Sequence, residues 1–150
     1  MQKSKLYLPD INVWLAIAAD GHIHHTQAMT WFETAGPAEA AFCRITQMGF
    51  LRLLTNAHAM HEDVRSQKEA WRVFDKLRDD ERVTYLAEPE DLEREWRITT
   101  QYLTPSNQLW TDCYLHAFAV ERQAIVVTFD RTFAKSAGIR PLVLGAPVSC

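Results

Sequence analysis

From Ala124 to Phe129 the chain reads AIVVTF, a run without alternation of apolar and polar residues. A strand with one wet face alternates with a period of two, because successive side chains point to opposite faces. This run therefore predicts a strand covered on both sides, the environment of a central parallel strand. Parallel neighbours need crossover connections, and the pattern supplies them. Residues 6–8, 40–43, 82–87 and 141–144 predict further strands. Between them, 11–19, 26–35, 46–55 and 110–122 predict helices. Another helix is announced by Ser66-Gln67-Lys68-Glu69, the spacing of a capping box, and carries Trp71, Phe74 and Leu77. Pro89 opens one more, with Glu90 and Asp91 in its first turn, and a short helix follows Asp130. Strands alternating with helices predict an α/β sandwich around a mainly parallel sheet.

At 150 residues the chain has the length of one domain, so 1–150 is read as a single unit. Its 47% hydrophobic and 23% charged residues are those of an ordinary globular protein, which excludes disorder, collagen and coiled coil. The net charge of −3 excludes a uniformly basic nucleic-acid binder, though not a local basic groove. The three cysteines, Cys43, Cys113 and Cys150, form no close pair, and no apolar run reaches signal-peptide or membrane-spanning length. A cytoplasmic protein without membrane contact is expected. Cys43 and Cys113 sit in apolar surroundings and predict buried fillers. Aromatic residues recur at helical spacing, which predicts core positions and not a stacking platform. The motifs GxGxxG, GxxxxGK[ST] and GxSxG are absent, which removes the common dinucleotide, P-loop and serine-hydrolase readings. His22, His24 and His25 lack a fourth ligand at ordered spacing, so a polar loop or helix start is expected there, not a zinc site.

Three aspartates stand apart from the helix-face acids. Asp10 directly follows the first strand and Asp130 directly follows the strongest one. In an open parallel sheet the site lies outside the carboxyl ends of the strands, so both should project from one edge. Asp112 lies at the start of the helix that feeds the strongest strand, and that helix must begin at the same edge. Each aspartate could serve singly as a helix cap; three caps on one edge is the less economical account. Converging carboxylates repel one another unless a cation lies between them. Oxygen-only ligands suit Mg²⁺ or Mn²⁺, and such an ion favours hydrolysis of a phosphodiester by an activated water.

The same residues carry a family resemblance. The stretch LPDINVWLAIAADGHIHHTQAMTWF resembles the opening of a PIN domain, in particular of a VapC-type toxin, and LWTDCYLHAFAVERQAIVVTFDRTF resembles its second half. The two stretches stand in the family's order and spacing. The resemblance implies a PIN-like three-layer α/β/α sandwich and Mg²⁺-dependent cleavage of RNA. It further implies a toxin held inactive by a cognate antitoxin. Asp10, Asp112 and Asp130 match the family's catalytic, metal-binding aspartates, with Asn12, Thr111 and Gln47 in supporting positions. Arg131, beside Asp130, is expected to line the RNA groove. One departure stands out: where many members carry a glutamate after T-x-x, this chain has Thr46-Gln47-Met48-Gly49, and Thr132 stands where a further acid sometimes occurs. The missing charge at Gly49 or Gln47 bears on a second metal more than on the first. Helices 11–19 and 46–55 hold surplus apolar surface, expected to meet the antitoxin or a second copy in a homodimer. Two other functions compete: a PIN-like module that binds RNA or protein without cleaving, and a metal-dependent phosphatase with Asp10 as nucleophile. The phosphatase usually wants D-x-D, and this chain reads Asp10-Ile11-Asn12.

Overall fold

The structure is a computed structural model describing residues 5–133 and 140–145. Five parallel strands form one sheet: β1 (Tyr7–Pro9), β2 (Ala40–Phe42), β3 (Val83–Tyr85), β4 (Ile125–Thr128) and β5 (Leu142–Val143), in the order β3-β2-β1-β4-β5. The helices are α1 (Ile11–Ala18), α2 (His25–Phe32), α3 (Arg44–Leu54), α4 (Ala57–Met60), α5 (Gln67–Arg78), α6 (Leu92–Thr100) and α7 (Leu109–Arg122). After β1 the chain winds outwards through β2 to β3, then returns to the other side of β1 to lay down β4. The strand order therefore reverses between β1 and β4, which pair from Tyr7↔Ile125 to Pro9↔Val127. A doubly wound sheet opens its crevice at such a reversal, outside the strands' carboxyl ends.

The sheet has a core on each face, because neighbouring strand residues point opposite ways. Ala40, Phe42 and Val127 join a cluster with α1, α2, α3 and α5; Leu8, Ala41 and Val126 join a second one with α6 and α7. These are the three layers expected of an α/β/α sandwich. The first cluster is the more aromatic. Trp14 is fully buried and stacks on Phe42 with ring centroids 3.9 Å apart, and Phe50 and Phe74 close around the same ring. Each such side chain contributes about 1.5–3 kcal/mol by leaving water. Cys43 and Cys113 are buried free thiols, in keeping with their apolar surroundings in sequence.

Several boundaries shift for local reasons. α3 starts at Arg44 and not at Thr46, because Thr46 caps from inside the helix: the Cys43 N–H donates to Thr46 Oγ1 at 3.0 Å. α6 starts at Leu92 because residues 89–91 form a turn closed by Leu92 N–H on the Pro89 carbonyl (3.2 Å). α4 and the single 3₁₀ turn His61–Asp63 were not expected; Asn56 Oδ1 caps α4 by accepting from the His58 and Ala59 N–H groups. The Ser66–Glu69 capping box is present in both directions, at 3.1 and 3.2 Å. The short helix expected after Asp130 falls largely outside the described residues. Among the described residues no helix is long and apolar enough to cross a membrane.

Candidate active site at the strand ends

Asp10 is the best-held residue at the crevice between β1 and β4. Its backbone N–H donates to the Val127 carbonyl at 2.9 Å, which ties the end of β1 to β4. It is the N-cap of α1, and Oδ1 accepts from the Asn12 and Val13 N–H groups at 3.1 and 3.2 Å. Oδ2 accepts from the Thr128 hydroxyl. The capping role expected for a lone aspartate is therefore real, but it uses one oxygen only.

Burial pushes the Asp10 carboxyl from its ordinary 3.8 up to about 6, against the lowering effect of the hydrogen bonds from Thr128, Val13 and Asn12. The negative charge of Asp112 adds to the rise. Asp112 sits in the first turn of α7, half-buried, and its charge is felt at Asp10 across the crevice. Asp130 follows β4 and is exposed. Its N–H donates to Thr128 Oγ1 at 3.0 Å, and its Oδ1 accepts from the Thr132 N–H and hydroxyl at 2.8 and 2.7 Å. Thr128 thus links the two strand-end aspartates, donating to one and accepting from the backbone of the other.

Thr128 received no role in the sequence, yet a signal for it exists. It is the one hydroxyl in an apolar strand and is fully buried, and a buried hydroxyl has to find a partner. Asn12 offers its backbone N–H to Asp10, while its residue is exposed. Thr111 is exposed and lines the cavity beside Asp112. Gln47 is buried, and its Oε1 accepts from Arg44 Nη1 at 2.6 Å. Arg131 is exposed next to Asp130. Arg44 was not anticipated.

Gly49 is where α3 crosses α1: a Cβ built there lies 2.5 Å from Ile11 Cγ2. A glutamate at this position would displace Ile11, the residue after Asp10, before its carboxylate reached the site. The surplus apolar surface expected on α1 is consumed within the chain, where Val13–Ile17 are all buried; α3 buries Phe50 and Leu54 and leaves Met48 exposed. Aromatic residues depart from the expected core positions at Trp71 and Trp110, about half exposed, and at Tyr102, almost fully exposed. The histidine segment is knitted locally: His25 Nδ1 lies 2.7 Å from the Ala16 carbonyl, His22 Nδ1 accepts from the His24 N–H, and His24 stacks on Phe129.

The chemistry of the strand-end donors fits a hard divalent cation. They are all oxygen, and Asp10 is a carboxylate raised by burial, with a smaller push from the Asp112 charge, so a cation would relieve it. Among the described residues no three acidic, histidine or cysteine side chains stand close enough to grip one ion between them.

Residues 7–139 match the PIN domain family profile. The chain is a PIN domain. It is 38% identical over 139 residues to Ribonuclease VapC41 of Mycobacterium tuberculosis, covering 89% of this chain and 95% of that one. The crystal structure of Mycobacterium tuberculosis VapC20, a Sarcin-Ricin loop cleaving toxin, superposes with a TM-score of 0.62 at 15% identity, over 91% of this chain and 98% of that one. A toxin–antitoxin complex from Klebsiella pneumoniae gives a TM-score of 0.57 at 18% identity, over 91% and 95%. The sandwich is therefore a PIN fold, in which Asp10 follows β1, Asp112 lies in the first turn of α7, Asp130 follows β4 and glycine stands at position 49.

Proposed function

We propose that this PIN domain is a cytoplasmic endoribonuclease toxin that hydrolyses RNA phosphodiester bonds with Mg²⁺, or Mn²⁺ in its place, and is silenced by a cognate antitoxin. The observation that carries the reading is the 38% identity to Ribonuclease VapC41 along nearly the whole of both chains. The buried Asp10 carboxylate at the strand reversal supports it. Asp10, Asp112 and Asp130 would hold the cation. Mg²⁺ asks for only one or two protein carboxylates and keeps several waters, a demand that Asp10 with Asp112, whose charge reaches it, would meet. When bound, the cation supplies charge neutralisation on the phosphate and a water of lowered pKa. The chain's own part is to aim the carboxylates. The α1 amides fix Oδ1 of Asp10, and Thr128 fixes Oδ2 and the backbone of Asp130. Asn12, Thr111 and Gln47 would support these positions, and Arg131, exposed beside Asp130, would line the RNA groove. A homodimer is the assembly we propose for the free toxin.

The test is incubation of the purified, antitoxin-free protein with total cellular RNA, with Mg²⁺ and with chelator. Cleavage should need the metal and fall at least a hundredfold in Asp10→Asn, since the variant keeps the shape but loses the charge. Chelator-resistant cleavage, or an active Asp10→Asn, defeats the assignment.

A further inference from the structure

Beside Asp112 the surface carries a feature that the aspartates do not explain. Thr111 opens onto a cavity of about 660 Å³ whose wall includes Arg44, Met48, Trp96, Trp110 and Tyr114. Clefts of roughly 300–1,000 Å³ hold small ligands. Trp110 enters it from the same turn of α7 that carries Asp112. Its residue is 56% exposed, a costly state for so large an apolar side chain.

The exposed ring is nonetheless held. Trp96 packs edge-on against it at 6.1 Å and 83°, and Trp96 Nε1 donates to the Trp110 carbonyl at 2.9 Å. Tyr114 stands edge-on to Trp96 at 5.5 Å, and its hydroxyl donates to Glu88 Oε1 at 2.7 Å, which engages the carboxylate on the same wall. Arg44 lies 5.2 Å over the Tyr85 ring and donates to the neutral Gln47 amide. Among the described residues it forms no ion pair, so its charge is not cancelled by a carboxylate.

A propped aromatic face and an uncancelled guanidinium beside a carboxylate site are what an unpaired base with its phosphate requires. We propose that this cavity seats an unpaired nucleobase next to the scissile bond, stacked on Trp110, with Arg44 on an adjoining phosphate. The proposal rests on the ribonuclease reading above. A partner helix would be recognised by apolar anchors spread over several turns. Here Trp110 and Met48 are the exposed apolar side chains of a wall completed by half-buried Ile45, Trp96 and Tyr114, and the Arg44 guanidinium beside the held ring suits a base with its phosphate.

The experiment follows cleavage of a short single-stranded oligoribonucleotide with one scission point, beside versions abasic at each flanking position in turn. With the unmodified protein, one abasic position should raise KM about tenfold and leave kcat nearly unchanged. Trp110→Ala should raise KM for the intact RNA by a similar factor and become insensitive to that abasic position; Trp110→Phe should restore both. Each variant is compared with itself on intact RNA, so a partly unfolded variant does not imitate lost sensitivity. Equal abasic sensitivity with and without Trp110 overturns the seat and leaves the ribonuclease reading standing. If the unmodified protein cleaves no RNA, that reading fails, and anisotropy of labelled intact and abasic oligonucleotides then decides the seat alone. Equal binding of the two RNAs overturns it. Unchanged RNA kinetics in Trp110→Ala with weakened antitoxin binding also overturns it, and gives the cavity to a protein.

Discussion

Asp10 does two jobs that oppose each other. It caps α1, which favours a charged carboxylate, and it is buried beside Asp112, which disfavours one. Burial wins, and the carboxyl is raised to about 6. A carboxyl whose pKa is higher folded than unfolded binds its proton more tightly in the native state. The metal-free protein should therefore be most stable below about pH 4 as far as this group is concerned, and lose that contribution as the pH rises through 6. A shift of about two units corresponds to about 3 kcal/mol. Asp10→Asn removes the titration, so in chelator its Tm should exceed that of the unmodified protein at pH 8 and converge with it at pH 4. Equal Tm differences at both pH values would show that Asp10 is not titrating in this window. Thr128→Val should push the carboxyl higher still, because the hydroxyl is the strongest of the groups holding it down. The acid limb of the cleavage profile should move to higher pH, while Thr128→Ser keeps it in place. Asp10, Asp112 and Asp130 could be read from strand ends and helix starts alone. Thr128 showed there only as a lone hydroxyl in an apolar strand, its bond to Asp10 across 118 residues being hidden, and Arg44 did not show at all, because its place is in a cavity wall.

Among the elements, those written in local patterns were the legible ones. The AIVVTF run, the Ser66–Glu69 box and the α7 positions Leu115, Phe118 and Ala119 all fold as their neighbours in sequence dictate. The end of α7 at Arg122 was legible too, although Gln123 adopts the left-handed conformation without the glycine that usually marks it. The meaning of Gly49 was hidden, since it depends on a helix 38 residues away. In an exposed helix Gly→Ala would be worth up to about 1 kcal/mol of added stability. Here the new methyl meets Ile11 Cγ2 at 2.5 Å, so Gly49→Ala should instead destabilise by about 1–3 kcal/mol. Combining it with Ile11→Ala should recover part of the loss, measurable as a coupling in denaturant unfolding. Gly49→Glu should then weaken Mg²⁺ binding by disturbing the α1 cap, contrary to the gain expected from adding a charge. A variant that binds Mg²⁺ more tightly with an unchanged Tm would show that α1 yields to the larger side chain at no cost.

At the scale of the whole molecule, the net charge of −3 decides how RNA can approach. A polyanion is repelled by the average surface, and only cations close to its path release counterions. Among the described residues near the carboxylate edge, Arg44 at the start of α3 and Arg131 after β4 are such cations. Two phosphate contacts on single-stranded RNA predict a slope of about −1.4 in log K against log salt, at about 0.7 per contact. Arg44→Ala should reduce the slope by about 0.7 and weaken binding with little regard to sequence. A different path exists on paper. α5 carries Lys68, Arg72, Lys76 and Arg78, and RNA laid along it would release more ions. The salt slope separates the two paths without a structure of the complex. A value steeper than about −3, unaffected by Arg44→Ala, would move the RNA onto α5 and away from the aspartates. A shallow slope that Arg44 controls keeps it at the strand ends, where among the described residues no cationic side chain forms an ion pair with Asp10.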